Sequence, residues 1–547
     1  MKKIYTVLGL LLMGASFLSA YAQAPTDAYR NIKTGTQGSA RSQALGGAMG
    51  AVGADASASY INPAGAGLFQ RNTLSLGFDL GKWNTTTEGM GGKTDADKFL
   101  GNFNHVSYFF PGSLIKLSGL NYIKINGGIS YEKEYNYNRS YGLLSGPMPG
   151  GITDLMVFRA INRGVPAGDY LRDKEYDPFI NPVDPIVAMG MNGAFIIEVP
   201  YNDLKSTEFK SNLFVKDGNN NIQYLLPISS DLNVTEKGGR NSTDLTMAVN
   251  LNDMYFFGAS LRFGTSTYSR YSMYREDFET DSYLEYGNML STNGTSFGLN
   301  LGAMVALGDY ARLGISYLTP QYAKYDESYR ATTRLLNMDL PEDKRQIDFD
   351  TEDYRSSYGM LMPGKLTVSA MAFLGRYGFI SYDYQYRNLG SSKLLLPDSF
   401  DETFESQFIK EDYGSESTHR VGLEVRPLGW MTIRGGYSFT SNPMKVADLK
   451  QDPIKEDLYY NVPSSGMIAD FTLPRSFSTY SVGLGFNLTR DLAIDMAYVH
   501  SKREQAVYPF SGYSFTAQDG NPYELSVRGG KLSEVRNSFV TSLVFRF

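Results

Sequence analysis

SFVTSLVFRF, residues Ser538–Phe547, ends the chain. Strand side chains alternate between two faces. Phe539, Thr541, Leu543, Phe545 and Phe547 therefore share one face, and Ser538, Val540, Ser542, Val544 and Arg546 the other. One side is almost wholly apolar, the other mixed, and the last residue is aromatic.

Upstream, the same alternation recurs. Leu492, Ile494, Met496 and Tyr498 oppose Asp495, and Ile380, Tyr382, Tyr384 and Tyr386 oppose Ser381, Asp383, Gln385 and Arg387. About fourteen such stretches run from Thr73–Trp83 through Asn102–Phe110, Ile123–Tyr137 and Thr243–Leu251 to Val535–Phe547. Alternation alone fits a soluble sandwich as well, but the connections do not. Asn252-Asp253, Gly308-Asp309-Tyr310, Gly375-Arg376, Pro427-Leu428-Gly429 and Thr489-Arg490-Asp491 are tight, Pro111–Tyr122 is somewhat longer, and the connections that alternate with them are long and polar. Short turns at one end and long loops at the other mark a transmembrane β-barrel. The expected fold is an all-β barrel of about 14 antiparallel strands, with the charged face toward the lumen. A terminal Phe is the feature that the barrel assembly machinery recognises, so that machinery is an expected partner.

Composition agrees. There are 40 Tyr and 56 Gly in 547 residues, no Cys, and a net charge of -6. The absence of Cys excludes disulfides, thiolate metal sites and a lipoprotein anchor, and there is no basic footprint for nucleic acid. Lys2 and Lys3, the apolar Val7–Leu18 and Ala20-Tyr21-Ala22 read as a signal peptide over 1–22. No later run offers around 20 apolar residues for a helical span. The expected location is a Gram-negative outer membrane, crossed many times by a monomer in contact with outer-membrane lipids and lipopolysaccharide.

Residues 23–72 precede the first strand and are rich in Gly, Ala and Ser. Leu45–Ala54 and Tyr60–Phe69 are too apolar for a solvated tail, so the segment reads as a plug, or hatch, inside the lumen. Ser39-Ala40-Arg41, Leu45-Gly46-Gly47-Ala48-Met49, Asp55-Ala56-Ser57 and Asn62-Pro63-Ala64-Gly65 are similar to the hatch of the FadL/TodX family, as are Gly435-Gly436-Tyr437-Ser438 and Ile494-Asp495-Met496 in the barrel. The resemblance implies fourteen strands, hatch residues Asp55, Asn62, Pro63, Ala64 and Gly65, and passive uptake of long-chain fatty acids or similar hydrophobic molecules. It also implies a lateral exit where the third strand kinks. Gly127-Gly128 in that strand reads as this opening, or as relief of local crowding.

The longest loop spans 138–242. It contains an amphipathic stretch, Ile152–Asn162, and the run Ile186, Val187, Met189, Met191, Phe195, Ile196 and Ile197. The run reads either as a capture groove or as the loop packed on itself over the barrel mouth. Alternation points Arg312, Arg426, Arg434 and Lys365 inward, where any could meet a carboxylate. His105, His419 and His500 are the only histidines, and no GxSxG elbow or phosphate loop occurs. No enzyme, cofactor or metal is expected. A receptor for haem or another ligand, or an adhesin, is the alternative reading of the long loops.

Overall fold

A computed structural model describes residues 23–35, 38–117, 120–171, 183–216, 222–445, 453, 464–516, 520 and 522–547. The signal peptide read over 1–22 lies outside them. Fourteen strands form one closed antiparallel barrel: β1 Thr73–Gly89, β2 Gly92–Leu117, β3 Leu120–Asn136, β4 Ser229–Leu251, β5 Tyr255–Asp277 and β6 Tyr283–Leu307. Next comes β7, Ala311–Leu318 continuing as Gln321–Leu336, and β8, Tyr354–Met362 continuing as Lys365–Phe373. β9 is Gly378–Asn388 with an outer piece Lys393–Leu395. β10 Ser415–Leu428, β11 Met431–Thr440, β12 Phe471–Asn487, β13 Leu492–Tyr508 and β14 Gly530–Arg546 complete the ring. β14 pairs with β1 from Thr73↔Arg546 to Glu88↔Lys531, which leaves no free edge there.

The closing strand shows the logic of all fourteen. Phe539, Phe545 and Phe547 are exposed, whereas Ser538, Val540 and Ser542 are buried inside. Outward Leu245, Met247, Leu313, Ile315, Val368, Ile433 and Val482 continue the apolar band around the barrel. Tyr310, Tyr377 and Trp430 stand exposed at the tight-turn end, as an interfacial aromatic girdle requires. The polar residues of each strand face inward because hydrocarbon cannot solvate them. No helix among the described residues is long and apolar enough to cross a membrane; the protein crosses the outer membrane with strands. At Asn252 and Asp253 the turn takes positive φ at both residues, the geometry that matches hairpin twist.

The structure corrects several expected boundaries. Pro111–Tyr122 is mostly ladder, with pairing carried to Leu117↔Leu120. β1 and β2 run out to Gly89↔Gly92, far past the expected Trp83 and Asn102. β4 begins at Ser229 rather than Thr243, and Arg139–Ser145 pairs with it. The extensions at the long-loop end carry polar residues such as Asp231, Asn233, Thr235 and Lys237 on their outer face, while Leu232 and Val234 are buried inside. The apolar-out alternation that marks a membrane strand is therefore absent there.

Residues of the long loop form a cap. Helices α4 (Ile152–Arg163) and α5 (Pro185–Asn192) pack into the barrel mouth against Leu232, Tyr274, Tyr286 and Leu335 of the wall. (Helices α1, Pro25–Ile32, α2, Ala40–Ala44, and α3, Ala58–Ile61, belong to the plug.) Ile186, Val187, Met189, Met191, Phe195 and Ile196 are buried and Ile197 half-buried, so the run read either as a capture groove or as the loop packed on itself is the interior of the cap, as in the second reading. The physical reason is area: seven apolar side chains gain more by mutual burial than by lining a wet cleft.

One buried carboxyl joins the cap to the wall. Glu276, at the outer end of β5, accepts hydrogen bonds from Ile152 N and Tyr274 Oη, both 2.7 Å. Burial pushes its pKa up to about 8, the two hydrogen bonds opposing that rise. A neutral acid in the folded cap binds a proton that the unfolded segment has already lost above its ordinary pKa. Cap stability is therefore greatest at low pH and falls as pH rises toward 8. Protection of the α4 amides, exchange taken relative to the intrinsic rate at each pH, should fall between pH 6 and pH 9, and Glu276→Gln should remove that fall. Equal protection at both pH values in the unmodified protein would refute the assignment.

Candidate functional site: the plug and the wall around it

The described residues between 24 and 69 are mostly buried and bonded to inward-facing residues of the strands. α1 (Pro25–Ile32) starts with Ala24 N donating to the Asp27 carboxylate at 2.8 Å. Arg30 binds Asp27 at 2.6 Å and Glu327 of β7 at 3.1 Å. Asn31 donates to Tyr358 Oη at 2.9 Å, and Arg387 to the Ile32 carbonyl at 2.8 Å. α2 (Ala40–Ala44) is capped by Ser39 and bound to the closing strand, Ala40 N donating to Ser542 Oγ at 2.8 Å. Arg41 extends from it to Glu424 of β10 at 3.0 Å.

The hatch residues have separate tasks. Asp55 accepts from Ser39 Oγ (2.7 Å) and Ser57 Oγ (2.6 Å), tying two plug turns together. Asn62, after α3 (Ala58–Ile61), accepts from Ala64 N at 3.1 Å and so caps the 3-10 turn Pro63–Leu68. Its amide donates to Gly50 O at 2.7 Å and to Ala303 O of β6 at 3.3 Å, joining plug to wall. Pro63 and Ala64 lie on Gly258 of β5, where a Cβ would collide with their backbone. Gly65 crosses Gly53 closely, a Cβ on Gly65 falling 2.9 Å from the Gly53 Cα.

Gly127 and Gly128 are paired on both sides, with Phe110 and Phe109 of β2 and with Met247 and Thr246 of β4. The wall has no gap at this pair. A Cβ on Gly127 would meet the Phe110 ring and one on Gly128 the Phe109 ring, so here the glycines make room for aromatics. Phe109 in turn stacks on Phe69 of the plug, centroids 4.5 Å apart.

A different stretch of wall is interrupted. β7 bends at Thr319-Pro320, β8 at Pro363-Gly364, and β9 at Leu389–Ser391. Proline lacks the N–H a ladder needs; Thr319 restores part of it, its Oγ1 accepting from Leu299 N at 3.1 Å. Across the bend the inward parity flips in β8 from Thr367, Ser369 and Met371 to Tyr358, Met360 and Met362. A one-residue slip exchanges the two faces of a strand. Above this level β10 and β11 have ended, so among the described residues no strand lies between the edges of Lys393–Leu395 and of the outer part of β12. The wall there is α6 (Ser406–Asp412) and an isolated bridge, Tyr413↔Met444. Behind it lies an apolar cluster that runs from Tyr29 and Ile32 of the plug through Tyr358, Met360 and Leu394 to Phe471. Outside it, Phe400 is 80% exposed, its ring 5.4 Å from Tyr322, and Phe404 is exposed with its ring 5.4 Å from Phe408.

Elsewhere the lumen is ionic. Arg240 pairs with Glu134 (2.6 Å), Arg262 with Asp244 (2.8 Å) and Arg387 with Glu416 (2.7 Å), while Arg139 pairs with Glu236 and Arg270 with Asp470. Of the cations read as inward, Arg426 and Arg434 both bind Glu424, Arg312 donates to Val52 O at 3.1 Å, and Lys365 faces an internal cavity. Two open cavities of about 560 and 520 Å³ at the turn end share Arg41, Arg426, Asp495 and Arg546. His105 bonds Ser75 (2.9 Å), His419 bonds Tyr382 (2.8 Å) and His500 bonds Asn537 (2.8 Å), each apart from the others.

No family model and no curated protein matches the sequence. Solved structures do. A Pseudomonas aeruginosa FadL homologue is 12% identical, with 94% of this chain and 99% of that one covered at a TM-score of 0.48. The Pseudomonas putida toluene transporter TodX is 13% identical over 94% and 100%, at 0.46. The Ralstonia pickettii toluene transporter TbuX is 12% identical over 94% and 99%, at 0.44. Both names in the sequence resemblance, FadL and TodX, recur among them. At these scores the likeness carries nothing about substrate or route.

The sequence reading missed the interrupted wall and the carboxylates that anchor the plug, Glu424 and Asp383. The wall left a signal: Pro-Gly at 363–364 with apolar alternation changing parity across it. The carboxylates left none, because their partners lie more than 300 positions away in the chain.

Proposed function

We propose that the protein is a passive channel for hydrophobic solutes, long-chain fatty acids or hydrocarbons, with its lateral route through the wall between β9 and β12. The observation that carries this reading is the apolar cluster behind the one stretch of described wall built from loop and helix rather than ladder. An open aqueous pore does not suit the structure, since plug and cap both fill the lumen. Nor would it suit the solute, because moving an acyl chain into water costs about 0.8 kcal/mol per CH₂. A route with Phe400 and Phe404 outside and Tyr358, Met360 and Phe471 inside keeps the solute among apolar side chains. Opening needs only the α6 segment and the Tyr413–Met444 bridge to move, which breaks far fewer hydrogen bonds than parting two paired strands.

Bridge partners in antiparallel pairs have Cα atoms about 4.5–5.5 Å apart, within disulfide range, and the chain has no cysteine of its own. Tyr413→Cys with Met444→Cys should therefore form a single cross-link. Oxidised cells should take up labelled oleate and toluene no faster than cells lacking the protein, and reductant should restore uptake. Unchanged uptake with the disulfide formed would exclude this route. A reduced form that moves neither solute would overturn the channel reading itself.

A further inference from the structure

We infer that a small free oxyanion binds inside the barrel, between the plug and the inner wall of β8 to β11, and holds the plug in place. The site is a cavity of about 60 Å³, room for more than one water-sized group. Lys365 and Arg420 both line it and no Asp or Glu does. The ammonium of Lys365 has no hydrogen bond or ion pair among the described residues. Arg420 donates to the Gln385 amide oxygen at 2.9 Å and makes no ion pair. Its cross-strand partner, Asp383, acts on it from a distance without an ion pair; one oxygen of that carboxylate accepts from Met49 N at 3.0 Å and Gly50 N at 2.9 Å. Glu134, which acts on Lys365 from a distance, is held by Arg240 and Arg262.

This departs from the rule of the lumen, where Arg240, Arg262, Arg387 and Arg434 each meet a carboxylate within 3.0 Å. Two cations confined together without an anion are costly in a water-poor interior. The remaining lining supplies what an oxyanion requires: the hydroxyls of Thr367, Thr418, Ser438 and Thr440, and the guanidinium fork, which matches paired oxygens. Gly46 and Gly47 of the plug form the opposite wall, so an anion here touches both bodies. The large apolar side chains of the lining are Ile61 and Phe477, with the Tyr60 ring beside them, too little to house an acyl tail. The occupant is thus a free ion rather than the head group of an amphiphile. The inference is independent of the hydrophobic-solute reading.

The test uses the purified full chain in detergent, with gluconate as the sole anion. Inorganic phosphate or acetate should raise the thermal unfolding midpoint saturably. Lys365→Met and Arg420→Gln should each unfold no lower than the unmodified protein in gluconate, because an unpaired charge has gone. Both should need at least about tenfold more phosphate for any rise. The inference is overturned by a midpoint indifferent to phosphate and acetate, or by variants that respond as the unmodified protein does. It is equally overturned if decanoate acts where phosphate and acetate do not, which would assign the cavity to an amphiphile.

Discussion

Gly436→Leu should convert a closed barrel into a leaky one. Gly436 lies on the inner face of β11, where any Cβ would fall inside contact distance of Gly46 N and Leu45 C in the plug. The plug cannot retreat by rotation, because Gly46 itself holds φ +63, and a Cβ there would sit 2.8 Å from Tyr437 N. Backbone meets backbone, so the strain cannot be relieved by a side-chain rotamer. Overpacking of this kind costs about 1–3 kcal/mol, which multiplies the undocked population by roughly 5–150. Planar-bilayer conductance and entry of a large antibiotic should rise accordingly, while the barrel still resists unheated SDS. Gly435, where a Cβ meets nothing within 4 Å, is the control: Gly435→Leu should change neither. Closed-level conductance in Gly436→Leu would show that the plug does not seal the lumen.

Removing the carboxylate at 424 should have the other large effect. Glu424 is 1% exposed and accepts from Arg41 of the plug (3.0 Å), Arg434 (2.9 Å) and Arg426 (2.7 Å). Asp495 remains for Arg434 at 2.5 Å, but Arg41 and Arg426 lose the only ion pairs they make among the described residues. Breaking a buried pair by deleting one partner typically costs about 3–5 kcal/mol. Glu424→Ala should lower the unfolding midpoint and loosen the plug together. A reporter cysteine at Ala44, buried against Gly483, should become reactive to maleimide in that background and stay protected in the parent. Adding Arg41→Met should recover part of the midpoint but leave the plug loose, since the anchor is still missing. A protected Ala44→Cys in Glu424→Ala would locate the anchor elsewhere.

Plug and wall thus depend on a few contacts between residues far apart in sequence, and this explains what could be read in advance. Every one of the fourteen strands was legible in its membrane half, because lipid on one side and a polar lumen on the other impose alternation residue by residue. The plug could be read as well: its apolar runs need burial, and Asn62-Pro63-Ala64-Gly65 encodes a capped 3-10 turn locally. Of the two readings of Gly127-Gly128, the structure shows relief of crowding and no gap in the pairing, since a glycine pair records only that something lies close. Here that something is the Phe109 and Phe110 rings. The run Ile186–Ile197 showed that burial was needed without showing against what.

By itself, then, the sequence determined that this chain is an outer-membrane barrel of alternating strands, ending on Ser538–Phe547, with a compact segment ahead of the first strand. Each of these is a local consequence of solvent on either side of the backbone. Only the tertiary structure decided where the wall is interrupted, which carboxylate holds the plug, and that Lys365 and Arg420 share a cavity without an anion. Those depend on strand register and ring closure, which bring together Arg41 and Glu424, or Tyr29 and Phe471. No local pattern can specify which distant residues a closed barrel will place face to face.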